Sequence, residues 1–249
     1  IAVVPGFCFR GGEGSRLTGL TGELLGDGNG ALSRGMDGTE GSLNRTNLRT
    51  PKDCFLVKYT FAGDGWERYS PCCTFFGYRF LSITANAPVE FRSIESVPVT
   101  SIAKELETGH ITTGNESINA LISNTYWGQL SNYLSVPTDC PQRNERLGWM
   151  ADTQVYAQTG AFFANTAPFF HKWMRDVRDS QAESGAYPGV SPTAQYGASL
   201  SRLGWADAGV ICPWTIYKQF ADTALVSECW DSMELWMKHI SEVGYNHQA

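Results

Sequence analysis

Near residue 105 the hydrophobic period of this chain switches from two to 3.6, and no single-layer or single-class fold accommodates both halves. Ahead of the switch lie short runs rich in β-branched and aromatic residues: "FLVKYTFAG" (55–63), "GYRFLSITA" (77–85) and "VEFRSIESVPV" (89–99). In the second run Tyr78, Phe80 and Ser82 alternate with Arg79, Leu81 and Ile83, the pattern of a half-buried strand. Most of the 26 glycines also precede the switch. The stretch 12–42 is so rich in them that it is expected to form loops with brief strands. Short strands at this spacing suggest an antiparallel sandwich.

Beyond residue 110 the pattern is helical. In "TGNESINALISNTYWGQLSNYL", Thr113 and Glu116 have the spacing of a capping box. Ile118, Leu121, Ile122, Tyr126, Leu130 and Tyr133 would then share one helical face, and Pro137 would end the helix. Further helices are expected over 152–164, 168–182, 207–220 and 223–242. In the last, Leu225, Val226, Cys229, Met233, Trp236, Met237 and Ile240 form a stripe and Gly244 supplies a stop. Paired helices with wide apolar stripes fit a bundle, a solenoid or a toroid, and periodicity does not choose among them.

Charge removes some functions. With 249 residues, a net charge of −6 and no basic run, the chain lacks the positive face that nucleic acid or an anionic membrane requires. No apolar stretch approaches 18 residues, so no membrane-spanning helix is expected. Cys8, Cys54, Cys72, Cys73, Cys140, Cys212 and Cys229 show no metal-ligand spacing and read as reduced thiols packed as small hydrophobes. "IAVVPGFCF" has no charged lead-in, so it is not a signal peptide. We expect no metal and no cofactor.

Against a content of only 18% charged residues, one segment stands out: "SVPTDCPQRNERLGWMADTQ" (135–154). It follows one helix and leads into the next, a common place for functional groups. A helix begun by Glu145 would carry Asp152 seven residues on, on the same face, and Asp139 could fold back onto that spot. Carboxylates gathered around one site repel, so the least solvated keeps its proton to higher pH, as a general acid must. Glu145, flanked by Arg143, Arg146, Leu147 and Trp149, is the best candidate. The arginines would neutralise the aspartates or grip hydroxyls, Trp149 would stack on sugar C–H groups, and Asp139 and Asp152 would accept from vicinal hydroxyls. The plainer alternative is a loop braced by ion pairs from Arg143 and Arg146 to Asp139 and Asp152. Cys140 as a nucleophile is disfavoured by the carboxylates around it.

The run "SNYLSVPTDCPQRNERLGWMADTQVY" resembles, without gaps, the signature of the α-L-rhamnosidases of glycoside hydrolase family 78. "WERYSPCCTFFGYRFLSI" (66–83) is similar to strands of that family's β-sandwich. "APFFHKWMRDVRDSQ" (167–181) and "GWADAGVICPWTIYKQFAD" (204–222) are similar to helices of its (α/α)6 toroid. Asn144 and Met150-Ala151 depart from the common pattern without removing a charged role. The resemblance implies a multidomain α and β fold: an N-terminal antiparallel β-sandwich over residues 1–108, followed by an incomplete (α/α)6 toroid over 109–249. It implies removal of terminal α-L-rhamnose with inversion. Glu145 would be the general acid, and Asp139, Arg143, Trp149, Asp152, Trp205 and Asp207 would contact the sugar.

Inversion needs a second carboxylate about 6.5–9.5 Å from the acid, to activate water. The resemblance places that base late in the toroid, whereas only 104 residues follow Glu145. The expectation is therefore a rhamnosidase fragment whose base lies beyond residue 249. Its partners would be a rhamnose-containing glycan or glycoside and the C-terminal remainder of the same protein, in a bacterial cytoplasm or periplasm. A carbohydrate-binding relic and a purely structural fragment are the alternatives. His171 and His239 are read as packing or surface residues. Glu228, Glu234 and Glu242 are read as a solvated face, and Trp127, Trp214, Trp230 and Trp236 as core.

Overall fold

The computed structural model describes residues 1–28, 39–45, 48, 55–193 and 203–245. Two compact units emerge. One comprises residues 1–99 with 140–145, the other 100–139 with 146–249.

Nine strands build the first unit: β1 (Ala2–Gly11), β2 (Arg16–Gly22), β3 (Leu24–Leu25), β4 (Leu43–Asn44), β5 (Leu56–Thr60), β6 (Glu67–Tyr69), β7 (Phe76–Gly77), β8 (Phe80–Ala85) and β9 (Val89–Pro98). All described pairings are antiparallel. β1 is the hub of a four-stranded sheet, paired with β6, β7 and, over its whole length, β9. β2 lies between β5 and β8 in a second sheet, with Leu17 opposite Tyr59 and Ala85, while β3 and β4 make a short ribbon. Both sheets contribute to one aromatic core: Phe7 and Phe9 from β1, Leu17 from β2, Val57 from β5, Phe76 from β7, and Phe61. The Phe9 ring sits 4.8 Å from both Tyr59 and Phe61. Each such ring removed from water is worth about 1.5–3 kcal/mol, so this cluster is the main support of the unit. The sequence reading recovered β5, β8 and β9 but passed over β1, whose Pro5 and Gly6 are residues that strand interiors avoid. In β8 the core side is Leu81 and Ile83, joined from the opposite register by Tyr78.

The second unit is helical: α1 (Glu116–Asn132), α2 (Met150–Phe163), α3 (Ala167–Asp179), α4 (Ala208–Phe220) and α5 (Thr223–Tyr245), with a 3-10 turn at Lys104–Leu106 and a tight β10 (Tyr133–Leu134)–β11 (Val136–Pro137) ribbon after α1. Phe170, Trp173, Met174 and Val177 of α3 bury fully against Ile216 of α4 and Leu225, Cys229 and Trp236 of α5. α4 touches α2, α3 and α5 and is the centre of the packing.

Three helical expectations need correction. The cap of α1 is Asn115, not Thr113: its Oδ1 accepts from the N–H groups of Ser117 and Ile118. The stripe of α1 is buried only at its C-terminal end, at Leu130 and Tyr133, while Ile118 and Leu121 are 46% and 65% exposed. Gly244 does not stop α5, which runs to Tyr245. Trp236 is core as expected, but Trp127, Trp214 and Trp230 are each about half exposed. The six described cysteines are free: Cys8, Cys140, Cys212 and Cys229 are buried, Cys72 and Cys73 exposed. Cys54 lies outside the described residues. Burial pushes the Cys229 thiol up to about 11 and Cys212 higher still. Among the described residues no helix is long and apolar enough to cross a membrane.

Candidate active site

The segment between α1 and α2 is tied at its neck. The Asp139 N–H donates to the Leu147 carbonyl (3.0 Å), and the Leu147 N–H donates to Asp139 Oδ1 (2.9 Å). The excursion between them, Cys140–Glu145, belongs to the β unit. Ser135 and Arg146 both adopt left-handed backbone, φ 66° and 55°. For residues with a Cβ that costs about 1–2 kcal/mol each, which the surrounding bonds must offset.

Helix α2 starts at Met150, with Trp149 in the cap position, so Glu145 and Asp152 do not share a helical face as the spacing suggested. The physical reason is competition for backbone groups. Leu147 is paired to Asp139, and Gly148 and Met150 are paired across to Ser191 and Gly189 in a bridge centred on Trp149 and Val190. The Trp149 carbonyl accepts from Thr153 Oγ1 at 2.8 Å. Gly148 is required here, because a Cβ on it would lie 2.1 Å from the Ser191 carbonyl oxygen.

Asp139 and Asp152 still meet. With Trp205 they line a cleft of about 670 Å³ whose wall is the last turns of α1 and the first of α2. Tyr156 on that wall donates to the Thr125 carbonyl at 3.0 Å, and burial raises its pKa to about 12, so its phenol stays neutral.

Trp205 is presented by a pinned glycine. The Gly204 N–H donates to Asp207 Oδ2 at 2.7 Å, and Gln154 Nε2 donates to the Gly204 carbonyl at 2.6 Å. Gly204 has φ 82°, which favours glycine. Asp207 Oδ1 accepts from the buried Trp236 indole at 3.3 Å. Both oxygens of Asp207 are thus bonded within the protein, at the head of α4. Gln154 is the residue the sequence reading missed. It sits inside the shared motif, but nothing in its spacing signals a bond to residue 204.

Within the excursion, Arg143 Nη2 lies 2.6 Å from Glu145 Oε2, both side chains being largely buried. Arg143 Nε also donates to Cys140 Sγ at 3.2 Å. Burial works against the Arg143 charge, yet the bond to Cys140 and the Glu145 charge outweigh it and raise the pKa above the usual guanidinium value. The arginines were expected to neutralise the aspartates or grip hydroxyls; Arg143 pairs with Glu145, two residues away in the same excursion. Away from the cleft, His171 Nε2 bonds Asp222 Oδ2 at 2.8 Å and its Nδ1 lies 3.7 Å from Glu228, which also meets Arg178. Glu228 is therefore part of a charge cluster tying α3 to α5 rather than a bare solvated position. His239 Nδ1 donates to the Ser184 carbonyl at 3.0 Å, and its ring stacks on Trp236.

A helical unit carrying an acidic, tryptophan-flanked cleft has a matching class. Residues 106–248 match the bacterial alpha-L-rhamnosidase 6 hairpin glycosidase domain, and the chain belongs to that family. An alpha-L-rhamnosidase of Streptomyces avermitilis is 36% identical over 205 residues, 82% of this chain and 19% of that protein. One from Formosa agariphila is 36% identical over 182 residues, 73% of this chain and 20% of its own length. Among solved structures, the alpha-L-rhamnosidase from Dictyoglumus thermophilum aligns with TM-score 0.83 at 27% identity, covering 97% of this chain and 26% of that one. The Streptomyces avermitilis enzyme complexed with L-rhamnose aligns with TM-score 0.80 at 31% identity, covering 97% of this chain and 22% of the other. The chain thus spans about a fifth of the curated relatives it matches.

Proposed function

We propose that the chain is part of an inverting α-L-rhamnosidase, with its β unit a sandwich and its five helices an incomplete (α/α)6 toroid. The sandwich covers residues 1–108 and the toroid 109–249, with the excursion 140–145 packing with the β unit. Glu145 is the general acid that protonates the departing glycosidic oxygen. Asp139 and Asp152 accept hydrogen bonds from rhamnose hydroxyls, while Trp149 and Trp205 offer ring faces to its C–H side. Asp207 acts on the sugar through Trp205, since its carboxylate holds Gly204 in place. Arg143 holds the Glu145 side chain in one position before substrate arrives. The base that activates water is a carboxylate supplied from outside residues 1–249.

The observation that carries the reading is the gathering of Asp139, Asp152 and Trp205, distant in sequence, on one cleft of a chain belonging to this family. The test compares an unactivated rhamnoside with an aryl rhamnoside carrying a good leaving group. Replacing Glu145→Gln should slow the unactivated substrate by about 10²–10⁴-fold, the usual worth of a positioned acid, and spare the activated one. Equal hydrolysis of the unactivated substrate by both forms would remove Glu145 from the role. Binding of L-rhamnose without turnover by the longer protein that contains this chain and supplies the base would favour the carbohydrate-binding alternative.

A further inference from the structure

A guanidinium that is to hold a carboxylate still must itself be held, and freezing so long a side chain costs rotamer entropy that a single contact offsets poorly. Arg143 is gripped at two adjacent prongs. Its Nη2 lies 2.6 Å from Glu145 Oε2, and its Nε donates to Cys140 Sγ at 3.2 Å. These two nitrogens share one edge of the planar fork, so the sulfur and the carboxylate oxygen sit side by side as its acceptors. One contact would leave the plane free to pivot about it, whereas two fix the plane. All three residues lie in the excursion 140–145.

The sulfur is a firm point of attachment. Cys140 is 8% exposed, and Pro141 after it restricts its backbone toward extended conformations. Beyond it the excursion is clamped to the β unit twice. The Asn144 N–H donates to the Leu48 carbonyl at 3.1 Å, and Gln142 lies so close over Gly77 that a Cβ on that glycine would come 2.8 Å from Gln142 Cα. Between this fixed backbone and Sγ stands a single side-chain torsion, so the short partner steadies the long one. Sulfur accepts weakly in general, but here the donor is charged and the contact is largely out of water, which strengthens it.

We propose that Cys140 is a positioning residue for the protonation step: its sulfur orients Arg143, and Arg143 in turn presents Glu145. The inference rests on the reading of Glu145 as the general acid and adds to it a residue that touches neither the sugar nor the reacting atoms. The thiol forms no bond in the reaction. Without the sulfur the guanidinium swings, and Glu145 samples orientations from which it cannot donate. The loss therefore falls on kcat, and only for a leaving group that needs a proton.

The test uses the longer protein that contains this chain and supplies the base, with an unactivated rhamnoside and an aryl rhamnoside carrying a good leaving group. Cys140→Ala should lower kcat on the unactivated substrate about tenfold, the usual size of one lost hydrogen bond to a charged group, with KM held within about twofold and the activated substrate spared. Cys140→Val, which fills the space without an acceptor, should show the same split and so separates the lost bond from a void left by alanine. Cys140→Ser, which keeps an acceptor, should recover about threefold or more of the loss. Lysine has no fork edge for the sulfur to hold, so in an Arg143→Lys background Cys140→Ala should change kcat by less than about twofold. Equal losses on both substrates, a loss in KM alone, or an undiminished effect of Cys140→Ala beside Arg143→Lys would mark a packing role and overturn the proposal. Glu145→Gln separates the two readings. If it slows the unactivated substrate while Cys140→Ala and Cys140→Val do not, the acid stands and the positioning role falls; if it leaves that substrate untouched, both fall.

Discussion

The tightest backbone approach beside the cleft gives the sharpest stability prediction: Gly148→Ala. Its Cβ would stand 2.1 Å from the Ser191 carbonyl oxygen, a distance that real Cβ contacts do not show, so the 189–191 segment must retreat by roughly 1 Å. That same oxygen accepts from the Trp173 indole N–H at 2.9 Å, and the Ser191 N–H donates to the Gly148 carbonyl at 2.9 Å. Trp173 is wholly buried, so its indole finds no water when Ser191 moves away. Two hydrogen bonds at about 1 kcal/mol each, with a buried donor orphaned, account for about 2–3 kcal/mol. Overpacking adds about 1–3 kcal/mol. The expected loss is about 3–6 kcal/mol, read from urea unfolding followed by far-ultraviolet dichroism. Gly128→Ala provides the control, since its Cβ would meet nothing within 4 Å, in the middle of α1. That change should stabilise by about 0.5–1 kcal/mol through helix propensity. A loss below about 1 kcal/mol for Gly148→Ala, set against the about 1–3 kcal/mol of overpacking alone, would refute the reasoning.

Two further outcomes follow from bonds away from the acid. Burial works to raise the pKa of Asp222, but the N–H groups of Leu225 and Ala224 and the His171 ring outweigh it and hold the carboxyl below its ordinary value. A depressed carboxyl stabilises the fold above its unfolded pKa, about 4, and that contribution is lost as pH falls through the lowered folded value. Asp222→Ala should therefore cost about 1–2 kcal/mol at pH 7, the range of a helix cap, with the difference from the parent shrinking below pH 4; a difference independent of pH down to 2 would contradict it. Gln154→Leu frees the Gly204 carbonyl and should weaken sugar affinity several-fold through Trp205 while leaving the melting temperature nearly unchanged; unaltered affinity would show that Trp205 is held by other means.

Much of the site was legible from a single stretch. Residues 135–154 announced themselves by chemistry too dense for an ordinary loop, and the structure gathers Asp139 and Asp152 on one cleft, joined there by Trp205. The partner of each charge was not legible. Arg143 meets Glu145 because both sit in one short excursion, a matter of chain path that residue type does not reveal. Gln154 and Gly204, fifty residues apart, meet only because α2 packs on α4. β1 escaped notice because Pro5 and Gly6 argue against a strand, yet pairing on both sides overrides propensity. The half-exposed Trp214 and Trp230 show the converse: a helical stripe says which residues could be buried, not whether a neighbour is present to bury them.

The sequence by itself determined the order of β before α, the approximate place of the helices, and the identity of the polar residues that could act on a sugar. Those properties are local, set by side-chain period and by groups a few residues apart. Only the tertiary structure decided where α2 begins, which residues face the cleft and which partner each charge meets. Each of these depends on backbone and side-chain groups brought together from distant parts of the chain, where the cost of burying an unpaired atom selects among arrangements that local pattern leaves equal.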